Sequence, residues 1–103
     1  MVRRVIIVRH GERSDLAPPE RRIEYEIPHD PPLTSVGHLE AEVAANYIHA
    51  LINNNPSVKI VSSPMLRCVQ TIEKLSNKLK LPVYHLRRTY IHRYLSFHYS
   101  LKT

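Results

Sequence analysis

Three short apolar runs, Val5–Val8, Val58–Val61 and Leu81–Tyr84, punctuate this chain, and each interval between them can hold a helix. Runs this brief, bounded by glycine, serine or proline, read as buried strands. A parallel pair of strands needs a long crossover, and a helix in that crossover packs back onto the sheet with right-handed sense. The sequence therefore predicts an α/β fold with a parallel sheet, its strands covering residues 3–9, 58–61 and 81–84.

The intervals carry the matching signals. Val36, Leu39, Val43, Ala44, Tyr47, Ile48, Leu51 and Ile52 recur at helical spacing, which predicts one apolar stripe on a helix over 35–53. Thr34 is placed to cap its start, and the run Asn53-Asn54-Asn55-Pro56 ends it. A second helix should open at Ser63-Pro64, a cap followed by proline at the first helical position. Its apolar positions are Met65, Cys68, Val69, Ile72, Leu75 and Leu79, so Cys68 is expected in the core rather than as a reactive thiol. Residues 15–32 hold five of the eight prolines and read as a long loop, which in a small domain is usually functional.

Charge and size bound the function. A chain of 103 residues with 43% hydrophobic content suits one globular domain with a thin stability margin. The longest unbroken apolar run is too short to span a bilayer or to serve as a signal core, so no membrane partner is expected and a cytoplasmic address is the default. A single cysteine permits no internal disulfide, and the histidines share no ligand spacing, so no metal and no cofactor is implied. The net charge of +6 is uneven: every acidic residue lies at or before Glu73, whereas Arg87, Arg88, Arg93 and Lys102 lie beyond it. Residues 1–86 form the domain-like part and 87–103 a divergent basic aromatic tail. Nucleic-acid binding by that tail is the weaker reading against an ordinary surface segment.

In a parallel sheet, ligands bind beyond the carboxyl ends of the strands. Arg9, His10 and Gly11 leave the first strand there; Ser62 and Ser63 leave the second, with Arg67 in the helix that follows. Arg9, Arg13 and Arg67 are planar, permanently charged donors suited to phosphate. Gly11 lets backbone approach a ligand closely. His10 among these cations is expected to favour its neutral form, which is the nucleophilic one. Glu12 fits an organiser of arginines better than an acid catalyst.

The segments VRHGERSD, DPPLTSVGHLEA and IVSSPMLRCVQTIEKL, in this order, resemble the amino-terminal half of the histidine phosphatase (phosphoglycerate mutase-like) superfamily. The RHGER and SSPMLRCVQT forms look most like the branch of the suppressors of T-cell receptor signalling, the ubiquitin-associated and SH3 domain-containing proteins. The resemblance covers residues 3–84 and implies a three-layer α/β sandwich, truncated to about half a domain. It implies that His10 is the phospho-acceptor, that Arg9, Arg13 and Arg67 bind the phosphoryl group, and that Asp30, Leu33, Thr34 and Gly37 start the first helix. It further implies metal-independent phosphoryl transfer on a phosphorylated small molecule or a phosphoprotein. The family also uses an acidic residue and a second histidine farther along the chain. No acid follows Glu73, and His85, His92 and His98 lack the expected strand-and-glycine setting. Two functions stay open: a phosphatase with an incomplete phosphohistidine site, and a non-catalytic phosphate-binding or interaction module. An open sheet edge would also allow self-association.

Overall fold

A computed structural model describes residues 4–52 and 57–86. The elements run in order as two single-turn 3-10 helices, Ser14–Leu16 and Pro19–Arg21, then α1 (Ser35–Ile52), β1 (Ile60–Ser62), α2 (Leu66–Leu79) and β2 (Val83–His85). The two strands pair in parallel, Ile60 opposite Val83 and Ser62 opposite His85, and the Leu86 N–H extends the ladder to the Ser62 carbonyl at 3.0 Å. The α/β architecture with a parallel sheet is thus present. The divergent tail expected over 87–103 lies outside the described residues.

The helices begin and end for local reasons. The Gly37 N–H of α1 donates to Thr34 Oγ1 at 3.1 Å, the side-chain cap that Thr34 was expected to supply. α2 starts two residues later than Ser63-Pro64 suggested. Met65 still has extended dihedrals, and Ser63 Oγ accepts from the Met65 N–H, closing a turn rather than a helix. The free Leu66 N–H donates instead to Asp30 Oδ1 at 2.9 Å. A residue expected to start the first helix therefore caps the second. At its other end α2 stops on Lys80 in the left-handed region (φ 55°), with the Lys80 and Leu81 N–H groups both returning to the Ser76 carbonyl.

The sheet departs from the sequence reading. Residues 4–10 carry no strand: Val8 packs against the core, but Val5, Ile6 and Ile7 are 40%, 44% and 40% exposed. A strand exists only through a ladder, and among the described residues β1 pairs with β2 alone. β1 also lies two residues later than 58–61 at its start, and β2 begins at Val83 because Pro82 has no N–H to enter a ladder.

The apolar core is a small cluster of Ala45, Ile48, Ile60 and Leu75, with Val8, Ile52, Ile72, Leu79 and Val83 packed around it. The buried face of α1 is Gly37, Ala41, Ala45 and Ile48, and its three small residues leave room for close packing. Leu39, Val43 and Tyr47, counted in the predicted apolar stripe, lie on the outer side at 66–68% exposure. The reason is arithmetic: apolar residues occur on nearly every side of α1, and contact with α2 selects only one of them. Cys68 is half-buried rather than in the core. The Lys78–Glu42 ion pair at 3.2 Å also joins the two helices.

Candidate functional site

The site is built where the loop after residue 8 meets the starts of α1 and α2. Gly11 makes this meeting possible. A Cβ on Gly11 would fall against the Gly37 carbonyl, and one on Gly37 would fall against the Glu12 carbonyl. The two glycines let the loop lie on the first turn of α1, so Gly11 serves helix packing as well as lining the cavity described below. α2 holds the same loop from the other side. The Gly11 N–H donates to Thr71 Oγ1 at 3.0 Å, and the Thr71 hydroxyl donates to the Arg67 carbonyl at 2.7 Å. Next to it, Gln70 Oε1 accepts the Leu33 N–H at 2.8 Å. Gln70 and Thr71 thereby fix both ends of the long loop to the helix that carries Arg67.

His10 is half-buried, and its Nδ1 lies 2.8 Å from the carbonyl oxygen of Gly11. A carbonyl only accepts, so Nδ1 carries the proton, and in the neutral ring Nε2 is left with a free lone pair. Arg9, His10, Gly11, Glu40, Ala41, Ala44 and Thr71 line a cavity of about 250 Å³. Glu40 is also a ligand for the loop: its Oε1 accepts the Glu12 N–H at 2.9 Å.

The four predicted site residues divide into two groups. Arg9 and His10 share the cavity. Arg13 and Arg67 do not line it. Arg13 donates from Nε and Nη2 to both oxygens of Asp15, at 3.0 and 2.8 Å. Arg67 is half-buried and its Nε is buried with no hydrogen-bond partner among the described residues. The groups are linked through the Thr71 hydroxyl and the Arg67 carbonyl. No hydrogen bond joins His10 to any of the three arginines among the described residues.

Glu12 does organise an arginine, but it is Arg21. Arg21 Nε and Nη2 donate to its two oxygens at 2.9 and 2.7 Å, and Thr34 Oγ1 donates to Oε1 at 2.7 Å. The Arg21 bonds first, and the Thr34 bond second, draw the Glu12 carboxyl down to about 2. Asp15 is likewise held below the usual carboxylate range, chiefly by its hydrogen bonds from Arg13 and with a smaller contribution from the charge of Arg67. His38, on α1 beside Lys74, is lowered by burial first and by that lysine second.

Sequence reasoning missed Glu40, Thr71, Gln70 and Arg21. For Thr71 and Gln70 a signal was available: they are polar residues inserted one turn beyond Arg67 in a stretch otherwise apolar on that side. Glu40 and Arg21 gave none, because each finds its partner only through the fold. Glu73 is exposed on α2, away from the cavity lining, and His85 is exposed at the end of β2, opposite Ser62.

Comparison with known proteins places almost the whole described region in one family. The family model of the histidine phosphatase superfamily (branch 1) matches residues 5–89. This chain belongs to that superfamily. The match takes in the His10 loop, both helices and both strands, so the α/β scaffold just described is the superfamily's own. A curated relative is the transcription factor tau 55 kDa subunit of Saccharomyces cerevisiae, 34% identical over 86 residues. That alignment takes in 82% of this chain and only 19% of the relative, so the chain spans about one fifth of its length. The narrower likeness to the suppressors of T-cell receptor signalling finds no support in these matches.

Proposed function

We propose that this chain is a phosphoryl-binding module of histidine phosphatase type in which His10 is the acceptor. The observation that carries the proposal is the Nδ1 contact with the Gly11 carbonyl, because it places the proton on one nitrogen and leaves Nε2 as a nucleophile on a residue lining a cavity. In the reaction, Nε2 attacks phosphorus, a P–N bond forms, and the P–O bond to the leaving group breaks. Arg9 at the same cavity would neutralise part of the charge on the equatorial oxygens. Water then cleaves the P–N bond and releases phosphate. The ligand class is a phosphorylated small molecule or a phosphoprotein.

Among the described residues Glu40 is the carboxylate at the cavity, and its Oε1 accepts a backbone N–H; without a general acid the reaction typically slows by about 10² to 10⁴. Aryl phosphates, whose leaving groups need no proton, would lose least. The test is brief incubation with an aryl phosphate, followed by trapping of the acid-labile phosphoenzyme. Label on the wild type and none on His10→Ala is expected; equal label on both would defeat the assignment.

A second reading is a non-catalytic interaction module. It is favoured by the relative, which is by its name a subunit of a transcription factor, and by the apolar outer side of α1 at Leu39, Val43 and Tyr47. It predicts that inorganic phosphate binds without any label appearing on His10.

A further inference from the structure

We propose that Glu40 is a positioning residue for His10: its carboxylate holds the 11–12 peptide, and that peptide holds the imidazole proton on Nδ1. The inference rests on the phosphoryl-binding reading above and goes beyond it, since that reading takes the Gly11 carbonyl as given and assigns Glu40 no part in preparing the ring.

Imidazole, peptide and carboxylate stand in series. The Gly11 carbonyl lies 2.8 Å from His10 Nδ1, and the N–H on the other side of the same peptide, that of Glu12, donates to Glu40 Oε1 at 2.9 Å. A peptide that donates to a carboxylate is polarised, and its carbonyl becomes a better acceptor. The start of α1 aims this peptide. The Glu12 carbonyl accepts the Thr34 N–H at 3.0 Å, and Gly37 lies so close to residues 11 and 12 that neither glycine has room for a Cβ. Glu40 stands three residues beyond Gly37 on the same helix, close to one turn along, which brings its side chain to the Glu12 N–H. From α2, Thr71 takes the preceding peptide through the Gly11 N–H at 3.0 Å. Glu40, Thr71 and His10 all line the one cavity.

This placement matters at the moment of attack. A free neutral imidazole carries its proton on either nitrogen, and a ring protonated on Nε2 has no lone pair there. Holding the proton on Nδ1 keeps Nε2 ready. When the Nε2 lone pair forms the P–N bond, the P–O bonding pair leaves with its oxygen. The proton stays on Nδ1, and the ring becomes cationic. The Gly11 carbonyl faces that proton, so it meets the new charge, and the carboxylate behind the peptide strengthens its hold. Glu40 is exposed, so water screens its charge, and the hydrogen bond to the peptide carries most of the effect. Among the described residues no hydrogen bond joins Glu40 to the ring itself; it acts through the peptide.

The test is nitrogen-15 NMR of the His10 ring in the full chain, at about pH 8.5, where an ordinary imidazole is neutral. The proteins are wild type, Glu40→Gln and Glu40→Ala, with His10→Ala to identify its signals among the seven histidines. The wild type should show an Nδ1–H ring. Glu40→Ala should lower the ratio of Nδ1–H to Nε2–H rings by about three- to tenfold, the span of one hydrogen bond. Glu40→Gln keeps an acceptor oxygen and should restore most of the ratio. Both variants remove the charge, so the difference between them isolates the hydrogen bond. Phosphohistidine labelling by saturating aryl phosphate should be slower in Glu40→Ala than in Glu40→Gln, in proportion to the Nδ1–H fraction. Circular dichroism on each variant checks that the fold is retained, as expected for an exposed side chain. A Glu40→Ala ring with the wild-type ratio overturns the inference while leaving the phosphoryl-binding reading standing; so do equal ratios, or equal labelling rates, in the two variants. A wild type that takes no label overturns that reading and, with it, the part given to Glu40 in the reaction.

Discussion

The loop from Gly11 to Thr34 and the apolar segment from Val5 to Val8 stand in opposite relation to the rest of the molecule. The loop has almost no regular structure, yet the largest side chains with no exposure, Leu33, Thr34, Pro31 and Ser14, are all in it. The apolar segment has the composition of a core strand, yet three of its four residues are 40–44% exposed. The difference lies in where the backbone groups go. The loop sends its N–H and carbonyl groups to Pro32, Glu12, Gln70, Thr71 and Glu40, so its chain can be buried without a ladder. Residues 5–8 have no such partners among the described residues, and apolar side chains alone do not bury a backbone. Among the described residues the site loop is firmly anchored, and the nominal strand leading into it is not.

That contrast can be broken most sharply by truncation. Leu33→Ala should cost about 2 to 5 kcal/mol, the usual range for an enclosed leucine, whereas Ile6→Ala should cost under about 0.5 kcal/mol. Urea unfolding of the two variants checks this, and equal shifts of the midpoint would erase the distinction between loop and strand. Next in size is Gly37→Ala. The added methyl meets the Glu12 carbonyl, and backbone cannot rotate aside as a side chain can, so about 3 kcal/mol is expected. Thr71→Val keeps the volume and deletes the hydroxyl. It leaves the buried Gly11 N–H unpaired at a cost of about 1 to 3 kcal/mol, and it should speed amide exchange at Gly11 without speeding that of Ile48 in α1.

The smallest expected effect is that of pH. Glu12 is held at about 2 against an ordinary value of 4.5. A carboxyl lowered in the folded state stabilises it above its unfolded value and loses that contribution as the pH falls through the folded one. The loop should therefore loosen between about pH 5 and pH 2, with Glu12→Gln abolishing this part of the pH dependence. His38 acts in the same direction nearer neutrality: its lowered value means that stability falls as the pH drops below its ordinary 6.5. Thermal melts of His38→Gln across that interval separate the two groups.

Much of the site was legible in the sequence. The approach of Arg9 and His10 to one cavity follows from their adjacency, and the cap by Thr34 was readable from the residues before α1. The pairing of charges was not. Arg9, Arg13 and Arg67 look equivalent along the chain, but the fold gives one to a cavity, one to Asp15, and leaves the third with an unpartnered Nε. Glu12 could have served any neighbouring arginine, and the one it binds, Arg21, is nine residues away. Asp30 sits next to the start of α1 in sequence and caps α2, because proline-rich loops fold back over distances that spacing does not encode.

Local chemistry determined the two helices and their order: helical periodicity set α1 and α2, Thr34 set the start of α1, and Pro82 held back the start of β2. These depend on residues within a turn or two of each other, so they can be read from a string of letters. The tertiary structure decided which side of α1 is buried, why positions 11 and 37 must both be glycine, and which carboxylate each guanidinium meets. Those outcomes depend on contacts between residues up to 60 positions apart, as Gly11 and Thr71 are. Only the folded chain brings such residues within the few ångströms over which hydrogen bonds and steric exclusion act.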